Sequence, residues 1–269
     1  MALAVLSIFR DESANLPRFL AELEKLEQSR IVGKIYCSFY ENDSCDDSVF
    51  IVDRWLASHP GSLISQQRGT SRIRGRVRER TQLLAEARNI ALEPLLTRAE
   101  SFLWLLTVDI DLYFSASHII NLISILMASP EISMVTASSM QNVPDVFGEY
   151  ACSYYDSWAL LDSMGRGGIS FAANPMRTRR DRFRWMSGLP IAVRASFGGM
   201  ALTRFDNVKQ LGLRWNGDMG CEHWAFCEGA RRGGAVLACP TVMPRVIHSP
   251  PIPSWNKAYS ARVNSFLVD

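Results

Sequence analysis

The chain has 269 residues, of which 48% are hydrophobic and 21% charged, and its formal net charge is +2. This length allows one large α/β domain with a full core, or two small ones. The small net charge excludes a whole-protein electrostatic attraction to nucleic acid. The six cysteines form no Cys-x-x-Cys pair, which argues against a structural zinc site. We interpret them as reduced thiols in or near the core of an intracellular protein.

The first half of the chain alternates between strand and helix patterns. We predict strands over residues 3–9, 34–40, 62–67, 102–108 and 133–138, and helices over residues 13–28, 49–59, 79–96 and 118–127. Such alternation indicates parallel βαβ units. The predicted fold class is therefore α/β, Rossmann-like, with a mainly parallel central sheet flanked by helices.

The pattern loosens over residues 141–190, which are rich in aromatic residues, glycine and arginine. Such segments often form binding pockets and loops. Order returns at residues 196–202, followed by a helix over about 222–232 that Gly233 and Gly234 end, and by strands over 236–239 and 245–247. We place a boundary near residue 140 that divides one compact domain, residues 1–269, into halves 1–140 and 141–269.

Asp109 and Asp111 follow the most apolar run of the chain, residues 102–108. A continuously hydrophobic run is typical of a buried parallel strand. Open α/β sheets bind ligands at the carboxyl ends of their strands. Two carboxylates at that position suit a hard divalent ion that also holds a diphosphate. The Asp-x-Asp pattern alone is common, and its position after this strand makes it informative.

The loops after the first two strands carry polar side chains instead of glycine-rich phosphate motifs. Phe9 and Arg10 follow the first strand, where neither Gly-x-Gly-x-x-Gly nor a P-loop is found. Glu41, Asn42 and Asp43 end the second strand and suit hydrogen bonds to a base or ribose. An Asx-type turn explains the same three residues without a ligand.

Two segments are rich in arginine. They contain Arg68, Arg72, Arg74, Arg76, Arg78 and Arg80, and Arg177, Arg179, Arg180, Arg182 and Arg184. Guanidinium groups suit phosphate oxygens, so one or two of these residues are candidates for a diphosphate. A solvated surface explains most of them, and no nucleic-acid-binding module is recognisable.

Glu222 and His248 are further candidates. Glu222 opens the predicted late helix, where the helix dipole favours a carboxylate, and it also suits a base or the stabilisation of a cationic sugar carbon. His248 follows the last predicted strand. It would add a nitrogen ligand to the carboxylates, a combination that favours Mn²⁺ over Mg²⁺.

Several segments resemble the fungal capsule-associated α-1,3-mannosyltransferases. Residues 80–95, RTQLLAEARNIALEPL, look like that family's Arg-Asn…Pro-Leu helix, and YENDS at 40–44 is similar to its Tyr-Glu-Asn-x-Ser turn. IDLYF at 110–114 resembles its metal motif. YDSW at 155–158 with Asp162 looks like its Tyr-Asp-x-Trp segment, SFGGM at 196–200 is similar to its Cys-Trp-Asn-Gly stretch, and CEH at 221–223 resembles its Ser-Glu-Cys motif.

This resemblance implies a GT-A fold and a retaining, metal-dependent glycosyltransferase that moves a sugar, most simply mannose from GDP-mannose, to a glycan hydroxyl. The implied partners are a nucleotide-sugar and a glycan acceptor, without nucleic acid. The halves 1–140 and 141–269 would bind donor and acceptor. The chain has Asp-Ile-Asp where the family has Asn-Asp, and it lacks the family's N-terminal anchor.

The implied site has four parts. The residues expected to bind the metal, Mn²⁺ or Mg²⁺, are Asp111, Asp109 and His248. Those expected to bind the donor are Phe9, Arg10, Glu41, Asn42, Asp43, Arg80, Arg88 and Asp109. Those expected to contact the sugar and the acceptor are Trp158, Asp162, Gly198, Gly199 and His223. The catalytic candidates are Glu222 and Asp156.

Alternatives remain at the level of sequence. An inverting GT-A transferase would use Glu222 as a base, and a non-catalytic carbohydrate- or nucleic-acid-binding protein would use the arginine segments. A nucleotidyltransferase fits less well because its glycine-rich first loop is absent. No stretch reaches the roughly 18 apolar residues of a membrane span. We therefore expect a soluble catalytic domain, cytoplasmic, or in the Golgi lumen if the natural protein carries an anchor. The oligomeric state, acceptor and linkage stay open.

Overall fold

The structure is a computed structural model that describes residues 2–70, 73, 75–144 and 150–246. The strands are β1 Ala2–Phe9, β2 Lys34–Asn42, β3 Gly61–Gln66, β4 Trp104–Val108, β5 Leu112–Tyr113, β6 Ile132–Ala137, β7 Met140–Pro144, β8 Tyr150–Tyr154, β9 Ile191–Ala192, β10 Met200–Arg204, β11 Ala235–Cys239 and β12 Arg245–Val246. The helices are α1 Leu16–Gln28, α2 Ser48–Leu56, α3 Arg78–Leu96, α4 Ala116–Met127, α5 Arg179–Met186, α6 Phe205–Gln210 and α7 Glu222–Arg231.

The central sheet has eight strands in the order β3-β2-β1-β4-β10-β6-β11-β9. Strands β1 to β4 pair in parallel, and β11 is parallel to β6. Only β10 and the edge strand β9 run antiparallel to their neighbours. The prediction of an α/β fold with a mainly parallel central sheet is confirmed, and strands from both sides of residue 140 contribute to that sheet.

Both faces of the sheet are buried under helices, which is why the central strands are apolar at consecutive positions. Leu3 and Val5 face the layer that contains α1 and α4, whereas Ala4 and Leu6 face the layer that contains α3 and α7. All five residues of β4 are buried. A strand covered on both faces reads as a continuous hydrophobic run, and this is the pattern of residues 102–108.

The predicted helices and strands within the described residues are present, with ends that differ by a few positions. Helix α1 begins at Leu16 instead of residue 13, with a proline in its first turn, where proline is tolerated because its missing N–H has no helical partner there. Ile247, the end of the last predicted strand, lies outside the described residues, and β12 is seen as Arg245–Val246.

Residues 141–190, where the sequence pattern loosens and we expected pockets and loops, contribute to three elements. Strands β7 and β8 belong to a second, four-stranded sheet of order β5-β12-β7-β8, and helix α5 leads to the edge strand β9. Helix α5 has the sequence RRDRFRWM and buries none of its residues, so it lacks the apolar periodicity by which a helix is recognised.

The parallel strands bring their carboxyl ends to one edge of the sheet. Phe9 at the end of β1 lies opposite Glu41 near the end of β2, and β4 ends beside them at Val108. Because β10 is antiparallel, its first residue, Met200, lies opposite Val108 at the same edge. The polar residues that follow β1, β2 and β4 therefore meet the turn before β10.

Two further observations concern the chain as a whole. All six cysteines are free, and four of them are buried, as expected for reduced core thiols. Within the described ranges, no helix is both long enough and apolar enough to cross a membrane.

Candidate active site

A cavity of about 430 Å³ opens at the carboxyl edge of the sheet. Its lining comprises Ile8, Phe9, Arg10, Glu12, Asn42, Thr70, Ile73, Arg76, Arg80, Leu83, Leu84, Ala87, Arg88, Asp109, Ile110, Asp111, Tyr155, Asp156, Trp158, Phe197, Cys221, Glu222 and His223. Eleven of these were predicted from sequence as site residues. They come from the ends of β1, β2 and β4, from α3, from the turn after β8 and from the start of α7.

Asp109 and Asp111 lie at the floor of the cavity, in the tight turn after β4. The backbone N–H of Asp109 donates to the carbonyl of Gly199 at 2.9 Å, which ties this turn to the one before β10. The Asp109 side chain is 24% exposed, and one oxygen lies 3.3 Å from Arg88 Nη2. Burial raises the pKa of Asp109 to about 8; Arg88 opposes this rise and the Asp111 carboxylate adds to it.

Arg88 on α3 joins the two sides of the cavity. Its Nη1 donates to Glu222 Oε1 at 2.7 Å, and both side chains are buried. The guanidinium lies 5.3 Å from the ring centroid of Phe197. Burial alone would lower the pKa of Arg88, but the carboxylates of Glu222 and Asp109 outweigh burial, so that the pKa lies above its usual value. A buried arginine that pairs with two carboxylates holds both in fixed positions.

His223 lies against the same oxygen of Glu222 that Arg88 contacts. Trp215 Nε1 lies 3.3 Å from His223 Nδ1, and the imidazole stacks on Phe197 with a centroid distance of 3.8 Å. Since an indole N–H only donates, Nδ1 must accept, and the proton of the neutral ring is on Nε2. That nitrogen lies 3.5 Å from Glu222 Oε1. Burial and the nearby Arg88 hold the pKa of His223 well below its usual range.

Asp156 lies in the turn after β8 and receives two backbone hydrogen bonds. Ala159 N–H donates to Oδ1 at 3.2 Å, and Gly198 N–H donates to Oδ2 at 3.1 Å. Burial raises the pKa of Asp156 to about 6; the two hydrogen bonds oppose this rise and the Glu222 carboxylate adds to it. Gly198 has a φ of 61°, and a Cβ atom there would overlap the carbonyl oxygen of Ala137, so the turn that holds Asp156 requires glycine.

Two arginines and an indole ring line another part of the cavity. The guanidinium carbons of Arg76 and Arg80 lie 5.7 and 5.8 Å from the ring centroid of Trp158. Arg76 Nη2 donates to Ser157 Oγ at 3.2 Å. Neither arginine forms an ion pair with a carboxylate among the described residues. Guanidinium groups beside an aromatic face suit phosphate oxygens and sugar rings.

The strand ends of β1 and β2 form the opposite wall. Arg10 Nη1 donates to the carbonyl of Thr70 at 2.7 Å, and Asn42 Nδ2 lies 3.4 Å from Thr70 Oγ1. Phe9, Arg10 and Asn42, which were predicted as donor ligands, line the cavity together with Thr70.

Glu41 and Asp43, predicted as donor ligands, do not line the cavity. Glu41 is fully buried and accepts hydrogen bonds from Ser44 N–H and Ser65 Oγ. Asp43 accepts from the backbone N–H groups of Arg68 and Gly69. Burial raises the pKa of Asp43, but hydrogen bonds from Asn42, Thr70 and Gly69 outweigh it and hold the pKa well below its usual range. Asp43 thus holds the loop that carries Thr70, and Glu41 joins the turn after β2 to β3, in line with the turn interpretation.

Three other predicted residues also lie outside the cavity lining. The Asp162 carboxylate pairs with Arg166 at 2.8 Å, and Gly198 and Gly199 form the turn before β10, both with positive φ. They support the site through the backbone. His248 lies outside the described residues, so its assignment as a metal ligand stays a prediction.

The chemistry of the donor set fits a hard divalent cation that is bound together with a diphosphate. The oxygens of Asp111 and Asp109 are the ligands that Mg²⁺ and Mn²⁺ take, and both carboxylates line the cavity. No group of three or more metal-ligating side chains is present in the described part of the chain. An ion on these two carboxylates therefore needs further ligands from the donor, from water or from residues outside the described ranges.

The sequence interpretation missed several residues of the site. Phe197 stacks on His223 and lies 5.3 Å from the Arg88 guanidinium, and Trp215 orients the imidazole. Buried aromatic residues carry no sequence signal that distinguishes them from core. Tyr155 lies beside the predicted Asp156 and was not singled out. Arg76 belongs to the first arginine segment, but its contact with Trp158 could not be predicted from the sequence.

Comparison with known proteins places this site in a family. The model of the family described as Cryptococcal mannosyltransferase 1 matches residues 4–230, most of the chain. A search of curated proteins finds no match.

Solved structures share the fold. Mannosyltransferase PcManGT from Pyrobaculum calidifontis, in complex with GDP-Man and Mn²⁺, has a TM-score of 0.55 and 15% identity, and the match covers 99% of this chain and 71% of that chain. TarS from S. aureus has a TM-score of 0.55 and 12% identity, covering 99% of this chain but 39% of that one. TarS 1–349 from S. aureus in complex with UDP-GlcNAc has a TM-score of 0.55 and 11% identity, and the match covers 99% of this chain and 66% of that chain. The match over residues 4–230 and this fold lead to one conclusion: the chain belongs to the Cryptococcal mannosyltransferase 1 family and is a glycosyltransferase with a GT-A fold.

Proposed function

We propose that the chain transfers mannose from GDP-mannose to a hydroxyl of a glycan, with retention of anomeric configuration and with Mn²⁺ or Mg²⁺. One observation carries the proposal: the cavity at the carboxyl edge of the sheet combines Asp109 and Asp111 with the buried Arg88–Glu222 pair. Membership of a mannosyltransferase family and the shared fold of PcManGT, solved with GDP-Man and Mn²⁺, support the choice of sugar, nucleotide and ion.

On the donor side, Asp111 would hold the metal, with Asp109 and His248 as its proposed companions. A bound divalent ion supplies a Lewis acid for the leaving diphosphate. Arg80 is available to the phosphates because it pairs with no carboxylate of the described chain. Phe9, Arg10 and Asn42 line the part of the cavity that we assign to the nucleoside.

At the reacting carbon, the surroundings of Glu222 favour retention over inversion. Inversion needs a general base that takes the proton of the acceptor hydroxyl. Glu222 Oε1 already accepts from Arg88 at 2.7 Å and faces His223 Nε2 at 3.5 Å. A carboxylate held in this way is suited to stabilise positive charge that develops on the sugar, with Asp156 nearby in a similar role.

On the acceptor side, the indole of Trp158 offers a flat apolar face to a sugar ring. It lines the cavity next to Asp156 and Glu222. Asp162, Gly198 and Gly199 would act indirectly, because they shape the loops that carry these residues.

Donor hydrolysis tests the proposal. The purified chain is incubated with GDP-mannose, GDP-fucose, UDP-glucose and UDP-GlcNAc, each with Mn²⁺, Mg²⁺ or EDTA, and nucleotide release is measured. We expect GDP-mannose to be preferred and EDTA to abolish release. Absence of release from every donor, together with absence of metal-dependent donor binding, would refute the proposed function.

The stereochemical part has its own test. Once an acceptor is identified, NMR of the anomeric proton at the earliest time points reports the configuration of the product. The α-anomer is expected from the α-linked donor. A β-linked product would instead identify an inverting enzyme and require a base among Glu222 and Asp156.

A further inference from the structure

Helix α5 and its flanking loops concentrate positive charge far above the average of the chain. Residues 162–189 contain six arginines and two aspartates, an excess of four positive charges. The whole chain has a net charge of only +2, so the remaining residues are net negative. The positive charge is therefore local to this region, and it presents a distinct electrostatic surface.

The same segment also exposes large apolar side chains. Of the thirteen large hydrophobic residues that are exposed in the described chain, five lie within residues 164–189. They are Met164, Phe171, Phe183, Met186 and Leu189. Since these positions make up about a tenth of the chain, the apolar exposure is concentrated here as well.

The outward face of α5 combines both properties. Arg179, Phe183 and Met186 follow the i, i+4, i+7 spacing of one helix face, and Arg180 lies beside them. Phe183 is 69% exposed and Met186 57%. Among the described residues, Arg179 and Arg180 have no ion-pair partner. We call these four residues the arginine–aromatic face.

The opposite side of α5 anchors it to the protein. Trp185 packs edge-to-face on buried Tyr154 with a centroid distance of 5.6 Å. Asn174 Nδ2 donates to the carbonyl of Arg182 at 3.2 Å, and Arg184 donates to the carbonyl of Pro190 at 2.7 Å. The arginine–aromatic face is thus held outward by fixed contacts on its other side.

We propose that the arginine–aromatic face binds an anionic lipid bilayer as a peripheral contact. Guanidinium groups pair with lipid phosphate and carboxylate groups, while Phe183 and Met186 enter the boundary between headgroups and acyl chains. Charge complementarity favours this partner, because the positive charge is local and the apolar residues stand among it. A nucleic acid would use the arginines but leave Met186 without a role. The inference does not depend on the proposed donor or on the stereochemistry.

Vesicle co-sedimentation tests this proposal. The full chain is mixed with vesicles of phosphatidylcholine alone or with about 30% phosphatidylserine, a composition typical of an anionic leaflet. Binding is expected only to the anionic vesicles. Because each arginine near such a surface contributes about a fivefold gain in affinity, Arg179→Gln/Arg180→Gln should bind about 25-fold more weakly. Phe183→Ser should also weaken binding, at unchanged charge.

The matched control removes the same charge elsewhere. Lys34 and Arg54 are exposed and lie outside the segment, so Lys34→Gln/Arg54→Gln should bind anionic vesicles within about twofold of the unchanged chain. Circular dichroism shows whether each variant is folded. Donor hydrolysis without vesicles should be the same for all variants, which separates this proposal from the proposed function.

Three results would overturn the proposal: no binding of the unchanged chain to anionic vesicles, equal losses in the control and in the Arg179/Arg180 variant, or binding that Phe183→Ser leaves intact. In a further experiment, a single-stranded RNA is added to the protein and vesicles. If the RNA binds more tightly than the vesicles and competes with them regardless of Phe183, the arginines form a nucleic-acid contact instead.

Discussion

Asp109 and Asp111 are separated by one residue, Ile110, along the chain, and they differ in their neighbours in space. Asp109 lies 3.3 Å from Arg88, which also pairs with Glu222, and Asp111 is the residue that we propose as the main metal ligand. We therefore expect Asp111→Asn to abolish metal-dependent donor hydrolysis. Asp109→Asn should lower it about 10- to 100-fold, as for a residue that orients ligands. Equal losses in both variants, measured by nucleotide release over a Mn²⁺ titration, would contradict this ranking.

The Arg88–Glu222 pair makes a second prediction about single residues. Arg88→Met leaves Glu222 buried at a helix start without its cation, so the free energy of unfolding should fall by about 3–5 kcal/mol. Arg88→Met/Glu222→Gln removes the orphaned charge and should regain most of this loss. Urea unfolding of both variants measures the difference. If the double variant is as unstable as the single one, the pair does not account for the loss.

His223 predicts a pH dependence of stability. Its pKa is well below the usual value in the folded protein, so below about pH 6.5 the unfolded chain takes up a proton that the folded chain does not. Stability should therefore fall with decreasing pH by up to about 1.4 kcal/mol per pH unit. The raised pKa values of Asp109 and Asp156 act in the opposite direction, because there the folded protein holds the extra protons.

The comparison with His223→Gln isolates this contribution. The two aspartates are present in both proteins, so their effects largely cancel in the difference. The free energy of unfolding from urea titrations between pH 5 and 7.5 should rise more steeply with pH in the unchanged chain than in the variant. Parallel curves would mean that burial and Arg88 do not lower the pKa of His223 in the folded protein.

At the scale of elements, the turn between Phe197 and Met200 links the sheet to Asp156. Gly198→Ala should lower the free energy of unfolding by about 2–4 kcal/mol, because it adds a clash with the backbone of Ala137 to the cost of positive φ. Gly212→Ala is the matched control: its φ is +60° and nothing lies near an added Cβ, so only about 1 kcal/mol is expected. Similar losses in thermal or urea unfolding would show that the clash is relieved.

The elements that could be predicted from sequence are those whose burial is regular. Strand β4 is covered on both faces and helix α1 buries Leu16, Phe19, Leu20, Leu23 and Leu26, so each carries its own pattern. Helix α5 and strand β9 have no such pattern. The position of β10 between β4 and β6 depends on long-range pairing, which local residue preferences do not encode.

The candidate site was predictable where function and strand ends coincide. Asp109, Asp111 and Asn42 follow strands, and a parallel sheet must bring them to one edge. Glu41 and Asp43 satisfy the same rule, yet their side chains turn to Ser65 and to the loop N–H groups. Whether a polar side chain at the end of a strand faces the cavity depends on tertiary hydrogen bonds. The roles of Phe197 and Trp215 also depend on tertiary contacts.

At the scale of the molecule, the proposed function requires that the donor is held at the carboxyl edge of the central sheet through a metal on Asp111. The most direct measurement is calorimetric titration of the chain with GDP-mannose, with and without Mn²⁺, repeated with Asp111→Asn. We predict binding that requires Mn²⁺ in the unchanged chain and is lost in the variant. Binding of equal affinity without Mn²⁺, or in Asp111→Asn, would contradict the account.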